Sequence, residues 1–312
     1  MTKAACAAAA MALLLLTLLF FPPVGASGGL GLCLPSPNEW TMPRFLSWLL
    51  GTGAIFISVF IIASANKRYN FVAEAEPIVS LSLLLLIATN CLCTSRLSTS
   101  SLLLLGNAAC LYLLFSTYES RNATREFFTI ASIPAIGAMF QYAFLMMIPV
   151  YIGGGLLMKS FRPKELVAFL FGLFAPYWIA VGLGWIPFDS FQLPDTLSAF
   201  KTPGVSHDIF LTLVEAGVMA LLGIILSLYN GVRLFSRNSR LRCMHSTINL
   251  MGIVAVLAII FDFDNFTAYF ATVVLWLSVQ IATTLSFYNI RRPLLAMIIA
   301  VLAFIPFYIL EL

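Results

Sequence analysis

Residues 81–87 read Leu-Ser-Leu-Leu-Leu-Leu-Ile, and residues 221–228 read Leu-Leu-Gly-Ile-Ile-Leu-Ser-Leu. Both runs are continuous. A membrane-spanning strand would instead alternate apolar and polar residues over about ten positions. Backbone polar groups in lipid need internal partners, which leaves only helices or a closed barrel, and continuous runs select helices. The rest of the chain agrees. Its 312 residues are 61% hydrophobic and 10% charged, with a mean hydropathy of +0.99. A soluble domain carries roughly 45–50% apolar and about 25% charged residues. This chain cannot cover a water-facing surface. It reads as all-α, a polytopic transmembrane helix bundle forming a single multi-spanning domain over residues 1–312.

Eleven apolar segments are expected. They are Ala4–Phe21, Phe45–Ala65, Ile78–Cys93, Ser101–Ser116, Phe127–Phe140 and Ala143–Met158. Then come Leu166–Ile186, Ile209–Tyr229, Thr247–Phe261, Thr267–Phe287 and Leu294–Leu310. With the N-terminus inside, Arg44, Arg96 and Lys201 fall outside and the other fourteen of the seventeen basic residues fall inside. That is the asymmetry the positive-inside rule requires. Residues 127–158 could form one long helix, but a turn near Gln141-Tyr142 is preferred. A single span would send the basic clusters at 159–164, 233–242 and 291–292 outside, and Gln141 is a poor guest at mid-bilayer. The first segment, with Lys3 before it and Val24-Gly25-Ala26 after it, also fits a secretory signal, leaving ten spans. Its length and Pro22-Pro23 favour a retained anchor.

The net charge of +4 comes from scattered residues, with no aromatic-basic stripe of the kind that binds nucleic acid. There is no CxxC pair or HExxH motif, so no metal site and no cofactor are expected. Cys6, Cys91, Cys93 and Cys110 read as small hydrophobes inside apolar runs. Cys33 follows Leu30-Gly31-Leu32, and the large Leu32 argues against a lipoprotein signal. Gly153-Gly154-Gly155 is expected to pack helices closely rather than cradle a phosphate.

Several stretches resemble an uncharacterised family of polytopic inner-membrane proteins from Bacteroidota. They are Met42-Pro43 opening a span that ends in Asn66-Lys67-Arg68-Tyr69-Asn70, and Leu97-Ser98 leading to Ser116-Thr117-Tyr118-Glu119. Next are Phe127-Phe128 and a hairpin, then Phe161-Arg162-Pro163-Lys164-Glu165-Leu166 entering Gly172-Leu173-Phe174-Ala175-Pro176-Tyr177. The resemblance covers residues 40–290 and implies a bacterial inner membrane, with no activity attached. A fainter likeness, in shape alone, is to multi-spanning glycosyltransferases that use polyprenyl-phosphate sugars. Those place a catalytic carboxylate in the first outer loop, where this chain has Glu39 without a paired acid.

Four carboxylates are candidate catalytic groups. Glu39 is the acid of the first outer loop. Glu215 lies about two turns inside the eighth span, where an acid is costly unless paired, protonated or facing water. His207 and Asp208 stand just above it. Asp262 and Asp264, in Asp262-Phe263-Asp264-Asn265, could hold a cation or a sugar, or simply cap a turn. The inner acids Glu74, Glu76, Glu119, Glu126 and Glu165 read as solvated neighbours of Lys and Arg. Arg233, Arg237, Arg240 and Arg242 are candidate contacts for anionic lipid head groups. Three functions follow from these residues. The first is a non-catalytic component of a cell-envelope assembly, partnered by membrane lipid and other envelope membrane proteins. The others are an enzyme acting outside on lipid-linked sugar and a transporter or flippase. No inverted repeat of the transporter kind is present.

Overall fold

The computed structural model describes residues 2–20, 31–72, 76–187, 190–191, 207–235, 238–287 and 304–311. Among these the regular structure is helical. Helices α1 (Thr2–Phe20), α2 (Arg44–Tyr69), α3 (Glu76–Ala88) and α4 (Cys91–Thr94) are followed by α5 (Thr99–Ser116), α6 (Thr124–Phe140) and α7 (Ile148–Leu157). Then come α8 (Pro163–Gly182), α9 (His207–Leu234), α10 (Ser239–Phe261), α11 (Phe266–Phe287) and α12 (Ile305–Glu311). Six helices are long and apolar enough to cross a membrane: α2, α5, α8, α10, α11 and Phe210–Leu234 of α9. Shorter apolar helices cover Ala10–Leu19, Ile78–Ala88 and Tyr142–Leu157. The expected last segment, Leu294–Leu310, lies mostly outside the described residues.

Helix ends overrun the apolar runs wherever polar residues can continue the turn in water or head groups. α2 continues through Asn66, Lys67, Arg68 and Tyr69 until Asn70 adopts a left-handed conformation (φ 50°) and stops it. α10 begins at Ser239, well before its apolar run at Thr247. The expected span Ile78–Cys93 is interrupted. α3 ends at Ala88, Asn90 is extended, and its side chain accepts from the Cys93 N–H to start the short α4.

Residues 127–158 form a hairpin. Gln141 is extended (φ −160°, ψ 136°), and a 3₁₀ turn over Tyr142–Met147 leads into α7. Phe127, in the first turn of α6, lies against Gly155 near the end of α7. A Cβ at Gly155 would come within 2.8 Å of that ring. One continuous helix would hold the two residues about 42 Å apart. The neighbouring glycines also serve packing, Gly153 against Leu250 and Gly154 against Leu114 and Thr247.

α11 forms the centre. Tyr269, Phe270 and Trp276 are fully buried, whereas Phe60 of α2, Phe171 and Phe174 of α8 and Leu228 of α9 point outward. Outward apolar side chains cost nothing when the solvent is lipid. The helix ends gather at two poles. At the basic pole the Phe71 carbonyl accepts from His245 Nε2 (2.7 Å), Lys159 pairs with Glu119 (3.4 Å), and the Thr117 and Ser160 hydroxyls bond (2.9 Å). At the opposite pole the N–H groups of Leu32 and Leu34 donate to the carbonyls of Ala138 and Met139. This docks the stretch before α2 on the end of α6.

Glu165 overturns its expected solvated role. It is fully buried in the first turn of α8, and its Oε1 accepts the Ala123 N–H (3.4 Å) where α6 begins. Lys164 Nζ lies 3.6 Å away. Partial positive charge at a helix start accommodates a carboxylate, so Glu165 joins two helix starts instead of facing water.

Candidate functional site

The interruption between α3 and α4 exists for Glu215. Glu215, on α9, is fully buried. Thr89 Oγ1 donates to its Oε1 (3.2 Å) and Asn90 Nδ2 to its Oε2 (2.8 Å). Asn90 is itself held on both sides: its Oδ1 accepts the Cys93 N–H (2.9 Å) and its carbonyl accepts from Thr94 Oγ1 (2.8 Å). An acid in a span thus becomes the acceptor that fastens α9 to a broken neighbour. His207 and Asp208 begin α9, and their side chains lie outside the described residues.

A second network closes the same pole around Gln141, which is 1% exposed. Its Oε1 accepts from the hydroxyls of Ser36 (3.0 Å) and Thr99, and its Nε2 donates to Asn265 Oδ1 (2.9 Å). Asn265 Nδ2 donates to Asp262 Oδ1 (2.8 Å), and Tyr269 OH donates to Asp262 Oδ2 (2.7 Å). Asn38 Oδ1 accepts the Thr99 N–H (3.2 Å). One glutamine therefore joins the stretch before α2, the start of α5, the α6–α7 hairpin and the α10–α11 turn. Sequence reasoning used Gln141 only as a turn marker. The stronger signal was available, because an amide at that depth needs several partners from other helices.

Of the candidate carboxylates, Glu215 and Asp262 accept from different donors and belong to separate networks. Glu39 is exposed in a 3₁₀ turn, Pro37–Glu39, next to residues of the Gln141 network. Asp264 lies in the 3₁₀ turn Phe263–Asn265, and its side chain is outside the described residues. Glu215 and Asp262 make no bonding contact with each other. An apolar groove of about 380 Å³ on α8 is lined by Phe174, Tyr177, Trp178, Val181, Gly182 and Phe191, none of them an acid. Among the described residues no group of three or more His, Cys, Asp and Glu could hold a metal.

Polar side chains continue along α11. Thr272 accepts from Asn107 Nδ2 (2.8 Å) of α5, and Tyr151 OH of α7 donates to Asn107 Oδ1 (2.5 Å). Trp276 Nε1 and Gln280 Nε2 both donate to Asn249 Oδ1 of α10 (3.1 and 2.8 Å). Asn230 of α9 donates to Gln280 Oε1 (2.9 Å) and accepts from Thr284 (3.0 Å). Residues 272, 276, 280 and 284 are spaced four apart and share one helix face.

The basic stretch is divided by the fold. The Arg233 guanidinium stacks on Tyr229 (4.7 Å) and that of Arg242 on Phe235 (5.4 Å). Arg240 turns instead to Tyr69 and Tyr118 (5.5 and 5.8 Å). Arg237 lies outside the described residues. No family profile, no curated protein and no solved structure matches the chain.

Proposed function

We propose that this protein is a non-catalytic component of a cell-envelope assembly in a bacterial inner membrane. It crosses that membrane about eleven times with its N-terminus inside, or ten times after removal of a leader. The observation that carries the first statement is the engagement of two candidate acids, Glu215 fully buried and Asp262 half-buried. Glu215 and Asp262 each accept two hydrogen bonds from neighbouring side chains. A carboxylate held this way is a poor proton carrier or nucleophile, because using it abandons those bonds, which for the buried Glu215 join two helices where no water replaces them. The resemblance of residues 40–290 to the Bacteroidota family supports the location, and the placement of Lys and Arg supports the orientation.

Complementation tests the role. In a deletion strain, Glu39→Gln, Glu215→Gln, Asp262→Asn and Asp264→Asn are each expected to restore the wild-type phenotype, and the pool of polyprenyl-linked sugars is expected to stay unchanged on deletion. Accumulation of one lipid-linked sugar that a single carboxylate variant fails to clear would replace this reading with the glycosyltransferase one. Orientation has its own test. A membrane-impermeant thiol reagent added to intact cells should label Asp264→Cys and not Arg237→Cys; the reverse pattern would sink the map.

A further inference from the structure

The sequence of α1 is almost uniformly apolar, yet the helix has two distinct faces. Ala10, Leu14 and Thr17 are buried, whereas Met11, Leu15 and Leu19 point outward. Steps of four and three residues put the buried set on one stripe of the helix. Ala10 belongs to the main core of the bundle. Leu14 packs with Trp48 of α2 and Ala88 of α3, and Leu13 packs with Cys91 of α4 and Tyr308 of α12. The Thr17 hydroxyl donates to the Leu14 carbonyl of its own helix (2.7 Å), so its burial needs no outside partner.

Two side chains of the bundle also bond to the backbone of α1. Trp48 Nε1 donates to the Leu14 carbonyl (3.1 Å), and Tyr308 OH donates to the Leu13 carbonyl (2.9 Å). Both residues are buried, and neither side chain makes another hydrogen bond among the described residues. Bonds to two successive carbonyls fix the depth and the rotation of the helix together. Withdrawing α1 would strand both donors, and lipid offers no acceptor in exchange. The position bears on Glu215 as well. Ala88 and Cys91, which α1 covers, flank Thr89-Asn90, the pair that donates to the Glu215 carboxylate.

We infer that α2, the α3–α4 break and α12 form a docking slot whose occupant is α1, and that α1 stays in it as a resident helix even when the chain is cut at Val24-Gly25-Ala26. The slot recognises α1 by the Leu13 and Leu14 carbonyls and by the small Ala10, and it backs the gap that receives Glu215. The inference stands on packing alone and is independent of the role in an envelope assembly.

The test expresses the full chain with a C-terminal tag and purifies it in a neutral detergent. Its mass is then measured under native and under denaturing conditions. Two results support the slot: the mass of the uncut chain, or a cut chain that carries the N-terminal peptide under native conditions and loses it on denaturation. A cut chain that carries no such peptide under native conditions would overturn it. Crosslinking locates the helix within the slot. With Leu13→Cys, mild oxidation should give a disulfide to the native Cys91, read as a 13–91 linked peptide by mass mapping. With Leu15→Cys, on the outward face, no link to Cys91 should form. A link from position 15, or none from position 13, would equally overturn the slot. The wild-type mass measurement decides the question without any variant, so a cysteine variant that fails to fold leaves the test intact.

Discussion

Replacing Gly252 with valine should destabilise the bundle more than any other single change at a glycine. Gly252 of α10 faces the Trp276 indole so closely that a Cβ would come within 2.0 Å of its Cδ2. Gly223 of α9 faces the same ring, where a Cβ would lie 2.8 Å from its Cζ3. The indole thus fills a slot between two glycines, fully buried, with Nε1 bonded to Asn249 (3.1 Å). Overpacking a close-packed core costs about 1–3 kcal/mol, and expelling a buried tryptophan raises this toward the ~3–5 kcal/mol typical of deleting one. Thermal unfolding in detergent should show a large fall in midpoint for Gly252→Val. Gly217→Ala is the matched control, since nothing lies within 4 Å of a Cβ there, and alanine is the better helix former. Equal midpoints for Gly252→Val and the wild type would refute this account of the core.

The second large effect is expected at Gln141. Gln141→Leu keeps the volume and apolar character of the hairpin but removes the acceptor of the Ser36 and Thr99 hydroxyls and the donor to Asn265. Each orphaned buried group costs roughly 1–3 kcal/mol, so the sum is large beside ordinary surface changes. The loss should be local as well as global. The stretch 31–42 is held by Ser36, by Asn38 at Thr99, and by backbone bonds to Ala138 and Met139. Limited proteolysis of Gln141→Leu should cut within 31–42 well before the wild type is cut there. Cleavage at the wild-type rate would mean that the backbone bonds alone hold the loop.

Much of the architecture was legible because lipid makes each stretch of chain solve its own hydrogen-bonding problem. Apolar runs marked the helices and Gln141 marked the hairpin. Charge alternation paired the connections that now meet at the basic pole, as the Lys159–Glu119 and His245–Phe71 contacts join them. Boundaries were less legible. The polar turns at Asn66–Tyr69 and Ser239–Ser246 are helical even though they leave the apolar run, because a helix does not end where its solvent changes.

The candidate sites were legible as residues but not as partnerships. Glu215 stood out as an acid in a span, but the gap at Thr89-Asn90 that receives it looked like unbroken span. Glu165 looked solvated beside Lys164, yet it is buried in the first turn of α8, against the start of α6. Arg240 looked like one of four arginines in a row, yet it faces the same ring as Arg68.

By itself the sequence determined the helical class and where the long apolar helices lie. Each depends on local composition and on backbone bonds made within one segment. Tertiary structure alone decided that Glu215 belongs to Asn90, Gln141 to Ser36 and Asn265, and Arg68 to the ring that Arg240 also faces. A polar side chain buried among helices must find its partner on another helix, and that pairing depends on crossing and register between segments far apart in the chain.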